Sequence, residues 1–106
     1  MATRKNVKRS SSSREKEIVQ QALFILRRRL KAKKIFLFGS RAKGTAGPGA
    51  DFDFALDLAR PVEDISRLIE REMEAAAGLY HIDIVYLKSA DPDFRDLILR
   101  TGKPLA

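Results

Sequence analysis

Between Asp51 and Leu58 the chain reads DFDFALDL, an alternation that puts Phe52, Phe54, Leu56 and Leu58 on one side of an extended segment and Asp51, Asp53, Ala55 and Asp57 on the other. This period belongs to a β-strand, and its greasy side has to be covered by another layer of structure. The opposite face carries acids. Acids gathered on one face are costly unless water, donors or cations offset them, so this strand constrains both the fold and the chemistry.

The flanking segments supply the rest of an α/β (α+β) domain. Ile35 to Phe38 is a short, wholly apolar run closed by Gly39, the pattern of a strand buried on both faces. Ahead of it, the spacing predicts a helix from Arg14 to Ala32, with Ser12 and Glu15 as a capping box and an inward stripe of Ile18, Ala22, Ile25, Leu26 and Leu30. A second amphipathic helix is expected from Val62 to Ala77, packing through Val62, Ile65, Leu68, Ile69, Met73 and Ala76 and stopped by Gly78. Tyr80 to Leu87 is apolar on both faces except at His81 and Asp83, as in an interior strand. Asp91 with Pro92 reads as a helix start, Phe94, Leu97 and Ile98 as its stripe, and Gly102 as its end. The expected order is helix, strand, short helix, strand, helix, strand, helix, without an internal repeat.

At 106 residues the chain has room for one modest core, so one domain is expected over residues 14–106, preceded by a mobile basic tail over 1–13. Residues 1–44 hold 14 Lys and Arg against Glu15 and Glu17, whereas residues 45–106 hold 7 against 12 acids. Such opposition suits basic groups that attract a polyphosphate beside an acidic metal site, and equally a basic tail that touches nucleic acid. Cysteine is absent, which excludes disulfides and thiolate metal sites. No apolar window reaches the roughly 20 residues of a membrane span, and a soluble, cytoplasmic protein is expected.

Asp51 and Asp53 are two apart on one strand, so their side chains leave the same face about 7 Å apart, within reach of one hard cation. Pairing with the Asp83 strand adds a third acid, for which magnesium is the natural guest. The strand ending in Gly39-Ser40 opens into a short helical segment, offering backbone N–H groups and a hydroxyl to an anion such as a triphosphate. Gly-Ser and Asp-x-Asp are each common. Ten residues separate Ser40 from Asp51, and in that combination they become specific.

The string LFGSRAKGTAGPGADFDFAL, residues 37–56, resembles the signature of the nucleotidyltransferases of the DNA polymerase β fold, and the small size resembles their minimal, or MNT, branch. The likeness extends to Asp83 in HIDIVYL and to the closing DFRDLILRTGKPL, covering about residues 15–106. It implies a small mixed sheet of about three to four strands packed by helices. It also implies that Gly39 and Ser40 hold the phosphates of ATP, that Arg41 adds charge beside them, and that Asp51, Asp53 and Asp83 form the catalytic and metal-binding set for two magnesium ions. Ala50 stands where the family often has Ser, a departure outside the metal ligands.

The resemblance further implies an antitoxin that transfers AMP from ATP onto a tyrosine of a partner HEPN-type toxin. A small-molecule nucleotidyltransferase and a non-catalytic protein- or RNA-binding antitoxin module are the alternatives. Weak nucleic-acid contact through the basic N-terminal region, and association with a second copy or a partner, are expected alongside. Lys43 is read equally as added charge at the phosphate site or as a solvated surface group, Asp57 as a strand-end surface group, His81 as structural or exposed, and Tyr80 and Tyr86 as packing groups.

Overall fold

A computed structural model describes residues 2–47 and 49–105, with side chains described from Ser13 onward. Helix α1 spans Ala2–Leu30, strand β1 Ile35–Phe38, helix α2 Ser40–Lys43, strand β2 Phe52–Leu56, helix α3 Glu63–Ala77 and strand β3 Ile82–Tyr86. A single 3-10 turn at Leu87–Ser89 leads to helix α4, Pro92–Thr101, and to a two-residue strand β4, Lys103–Pro104. The four strands form one mixed sheet in the order β3-β2-β1-β4. The β1–β2 and β1–β4 ladders are antiparallel, and β2–β3 is parallel. The expected α/β class, mixed sheet and strand number all appear.

The sheet is covered on both faces. On one, Ile18, Ala22 and Leu26 of α1 and Ile69, Met73 and Ala77 of α3 pack over Ile35, Leu37, Phe52, Phe54 and Leu56. On the other, Ile98 of α4 packs with Ala55, Leu87, Phe36, Phe38 and Val85, and the Phe38 and Phe94 rings meet edge to face at 6.0 Å. Each buried aliphatic or aromatic side chain contributes roughly 1.5–3 kcal/mol relative to exposure, which orders the layers. α1 and α3 are tied at their edge by Arg29, whose Nε and Nη2 donate to Glu72 at 2.7 and 3.0 Å.

Local signals act largely as the sequence implied. The Asp91 side chain accepts from the N–H groups of Asp93 and Phe94 at 3.1 and 3.4 Å, capping α4 with Pro92 in its first turn. Gly78 closes α3 at φ 67°, its N–H donating to the Glu74 carbonyl at 3.0 Å. α1 ends without glycine: Lys31 itself adopts φ 53°, and its N–H donates to the Arg27 carbonyl at 2.9 Å.

Four expectations are corrected. α1 begins at Ala2, so Ser12 lies inside the helix rather than at its cap. Serine costs only about 0.5 kcal/mol per residue in a helix relative to alanine, and the neighbouring Lys and Arg favour one. The expected mobility of residues 1–13 concerns side chains that, up to residue 12, lie outside the described set. β3 is an edge strand rather than an interior one. Its apolar faces reflect cover by α3 on one side and contact of Val85 with the α4 cluster on the other. α3 turns inward through Ser66, Ile69, Met73 and Ala77, leaving Val62, Ile65 and Leu68 exposed. Finally β4, unmarked by any alternation, forms because Gly102 lets the chain turn back along β1, where the Leu105 N–H donates to the Ile35 carbonyl at 2.7 Å. A Cβ at Gly102 would sit 2.6 Å from the Ile98 carbonyl oxygen.

Candidate active site

β1 delivers the chain to Gly39, whose φ of 73° and ψ of −154° belong to a region essentially reserved for glycine. α2 starts at the next residue, Ser40, and Gly44 ends it in the left-handed conformation. The turn does not stand apart from the acids. Phe38 is paired with Asp53 across β1 and β2, and a Cβ added at Gly39 would come within 2.5 Å of the Asp53 Oδ2. The backbone conformation therefore requires glycine, and a side chain there would displace the Asp53 carboxylate that lies against the turn.

Asp53 is also the register partner of Asp83 across the parallel β2–β3 ladder. Paired residues of a sheet project to the same face, so the two carboxylates share one side, as the sequence implied. Burial, the negative charges of Asp83 and Asp51, and a hydrogen bond with Asp83 all push the Asp53 carboxyl above its ordinary range, and His81 partly offsets them. Asp51 precedes β2 and is exposed. His81, exposed as expected, places Nε2 3.0 Å from Asp83 Oδ1. That hydrogen bond and the charge of Asp83 raise the imidazole pKa against a smaller desolvation effect, with Asp51 and Glu74 adding to the rise.

Arg41 departs from its expected place. Rather than offering charge to solvent beside the Gly-Ser turn, its side chain is only 8% exposed. Its Nε and Nη2 donate to the Ala50 carbonyl at 3.1 and 2.7 Å, and Nε also reaches the Asp51 carbonyl at 3.2 Å. The guanidinium carbon lies 3.8 Å from the Phe52 ring centroid. A planar cation able to stack and to fork its hydrogen bonds satisfies itself against carbonyls and a ring when the fold brings them near. Lys43 is exposed, Asp57 sits past the far end of β2, and Tyr80 packs edge to face on Phe52 at 5.3 Å.

A cavity of about 220 Å³ between α3 and β3 runs up to Asp83 and His81, with Glu70 and Glu74 on its other wall. Those two glutamates carry no sequence signal that would join them to Asp83, since only the packing of α3 beside β3 brings them there. The larger hollow of about 510 Å³ along Leu23, Phe24 and Arg28 of α1 has no carboxylate in its lining.

Among the described residues no group of three or more His, Cys, Asp or Glu side chains is gathered closely enough to hold a metal ion by itself. An open arrangement suits magnesium, which keeps waters and takes phosphate oxygens in place of a full protein shell. The donors present are carboxylate oxygens, and the charge crowding that raises Asp53 is what a hard divalent cation would relieve. Asp51, Asp53 and Asp83 thus fit such a cation chemically.

Residues 20–106 match the family described as Polymerase beta, Nucleotidyltransferase. No curated protein gives a match. Among solved structures, the chain is similar to one described as "Crystal structure of the toxin-antitoxin with AMP-PNP", at 28% identity over 82% of this chain and 71% of that chain, with a TM-score of 0.70. It is also similar to a chain of the toxin-antitoxin MntA-HepT, at 25% identity over 90% of this chain and 71% of that one, with a TM-score of 0.61. A chain of a mutant toxin-antitoxin complex, MntA-HpeT, is similar at 27% identity over 79% of this chain and 68% of that one, with a TM-score of 0.66. With the Gly-Ser turn set against paired strand carboxylates, this chain belongs to the polymerase beta nucleotidyltransferase family and is of its minimal, MNT type.

Proposed function

We propose that the chain is a magnesium-dependent adenylyltransferase that moves AMP from ATP onto a tyrosine of a partner HEPN-type toxin, and so acts as that toxin's antitoxin. The observation that carries this reading is the Asp53–Asp83 register pair with Gly39 packed against Asp53, which brings the Gly39-Ser40 turn beside two carboxylates. Its similarity to a toxin-antitoxin structure holding AMP-PNP supports the choice of nucleotide and partner.

In this reading the backbone at Gly39 and the Ser40 hydroxyl bind the β- and γ-phosphates, and Asp51 and Asp53 hold magnesium. Magnesium held by these carboxylates would supply positive charge to offset that of the triphosphate. The acceptor hydroxyl oxygen bonds to the α-phosphorus, the bond from that phosphorus to the bridging oxygen breaks, and pyrophosphate departs. In the same reading Asp83 would bind the first metal or take the acceptor's proton. The fold supplies orientation and charge, which is most of what phosphoryl-transfer catalysis needs.

The transferase domain is assigned to residues 14–106, and the basic residues 1–13 to an extension outside the family match. No described helix is long and apolar enough to cross a membrane, and the cytoplasm is the proposed location. The test is incubation with labelled ATP and magnesium, with and without the product of the neighbouring reading frame. The expected result is a magnesium-dependent mass gain of one AMP unit on the partner, lost with Asp53→Asn. Neutralisation of the partner that survives Asp51→Asn with Asp53→Asn would favour a non-catalytic module instead, a reading for which the 14 basic residues within 1–44 are the motive. Label found only on an aminoglycoside would favour a small-molecule enzyme.

A further inference from the structure

Arg41 bridges two parts of the site that the chain separates by a loop. Its backbone lies in α2, directly after Ser40, while its guanidinium grips the carbonyls of Ala50 and Asp51 at the other end of that loop. The grip is itself held. Nη1 lies 3.4 Å from Glu15 Oε2 of α1, and the guanidinium carbon stands 3.8 Å from the Phe52 ring centroid and 5.4 Å from that of Tyr80. With the side chain 8% exposed, these donors are turned to protein partners rather than to solvent.

We infer that Arg41 is a positioning residue, which latches the Ala50–Asp51 backbone so that the Asp51 carboxylate is held at the metal site, and that it is not a ligand of the nucleotide. The inference rests on the functional reading above. Asp51 needs such a latch because it stands outside the β2 ladder, which starts at Phe52. The loop before it carries Gly44, Gly47 and Gly49, which leave the backbone permissive. Besides Arg41, this end is held by the Phe52 N–H donating to the His81 carbonyl at 2.9 Å and, within the loop itself, by the Ala50 N–H donating to the Gly47 carbonyl at 3.2 Å. Because the latch starts beside Ser40, the phosphate turn and the first acid are coupled through one side chain. Lysine cannot replace it, since an ammonium lacks both the planar fork and the stacking face.

The full-length chain is titrated with Mn2+ by the electron paramagnetic resonance signal of the free ion, and separately with a non-hydrolysable ATP analogue in EDTA. For Arg41→Lys we expect Mn2+ affinity about tenfold weaker, the scale typical of a lost partner behind a metal ligand, with analogue affinity in EDTA changed less than about twofold. Unchanged Mn2+ affinity, or a tenfold loss of analogue affinity in EDTA, overturns the inference, the latter by making Arg41 a phosphate ligand. Should Arg41→Lys fail to fold, Glu15→Gln carries the test: it loosens the guanidinium without removing it, weaker Mn2+ binding supports the latch, and wild-type binding overturns it. Asp53→Asn separates the two levels of argument. If it binds Mn2+ as the wild type does, the metal site itself is wrong, and the assignment of Arg41 falls with it.

Discussion

Asp53 and Asp83 stand side by side across the parallel β2–β3 ladder, and the same Asp53 carboxylate lies against Gly39 on its other side. One aspartate thus joins the Gly39-Ser40 turn to Asp83. Replacing it by asparagine keeps the shape and removes a charge. Asp53→Asn is expected to reduce AMP transfer by at least about 100-fold, the scale on which lost transition-state charge stabilisation is felt, with an unaltered circular dichroism spectrum. Transfer within about fivefold of wild type would remove Asp53 from the chemistry.

The raised Asp53 carboxyl also has a thermodynamic consequence. A carboxyl that binds its proton more tightly in the folded than in the unfolded chain adds stability below the unfolded value, and that stability is lost as pH rises through the folded value. Without divalent cation, Asp53→Asn should therefore melt above the wild type at neutral pH. The gap should close as pH falls below the ordinary aspartate range. Magnesium should narrow it from the other side by stabilising only the wild type. Thermal melts across that pH range, with EDTA or magnesium, make the comparison.

Gly39→Ala meets both the Gly-only backbone region and the Asp53 Oδ2. We expect a loss of about 1–3 kcal/mol from backbone strain, read as a lower urea midpoint at unchanged slope, together with loss of transfer. In Gly39→Ala with Asp53→Ala the clash disappears while the strain stays. That pair should recover part, but not all, of the lost stability.

His81 is the only histidine, so its imidazole can be followed by proton NMR without assignment work. Its titration midpoint should lie above that of a free histidine, because Asp83 accepts from the protonated ring. Asp83→Asn should bring it down toward the ordinary value. A midpoint indifferent to that substitution would show that the His81–Asp83 contact is not kept in solution.

Gly102→Ala would press a Cβ to 2.6 Å from the Ile98 carbonyl oxygen and push the chain end off β1. The expected signature is faster amide exchange at Leu105, whose N–H donates to the Ile35 carbonyl, with β2 and β3 amides unaffected. Equal exchange at Leu105 in both proteins would show that β4 tolerates the side chain.

Much of this protein could be read from residues in order. The Phe-Asp alternation around Asp53 announced its own strand and faces, Asp91-Pro92 its helix cap, and the Gly39-Ser40 spacing to Asp51 and Asp53 the family. These are signals of local stereochemistry, carried by side-chain period and backbone freedom over a few neighbours. Position in the assembled sheet is different. Apolar faces on Ile82–Tyr86 report cover by helices and are silent about whether a strand is central or at an edge, so β3 was misplaced. Lys103–Pro104 became a strand only because β1 offered an open edge beside it. Arg41 carried a charge that looked available to phosphate, and it was the nearness of Ala50, Asp51, Phe52 and Glu15 in space that turned it inward. A side chain's chemistry travels with the sequence, whereas its partners depend on distant segments meeting, and no local period encodes that.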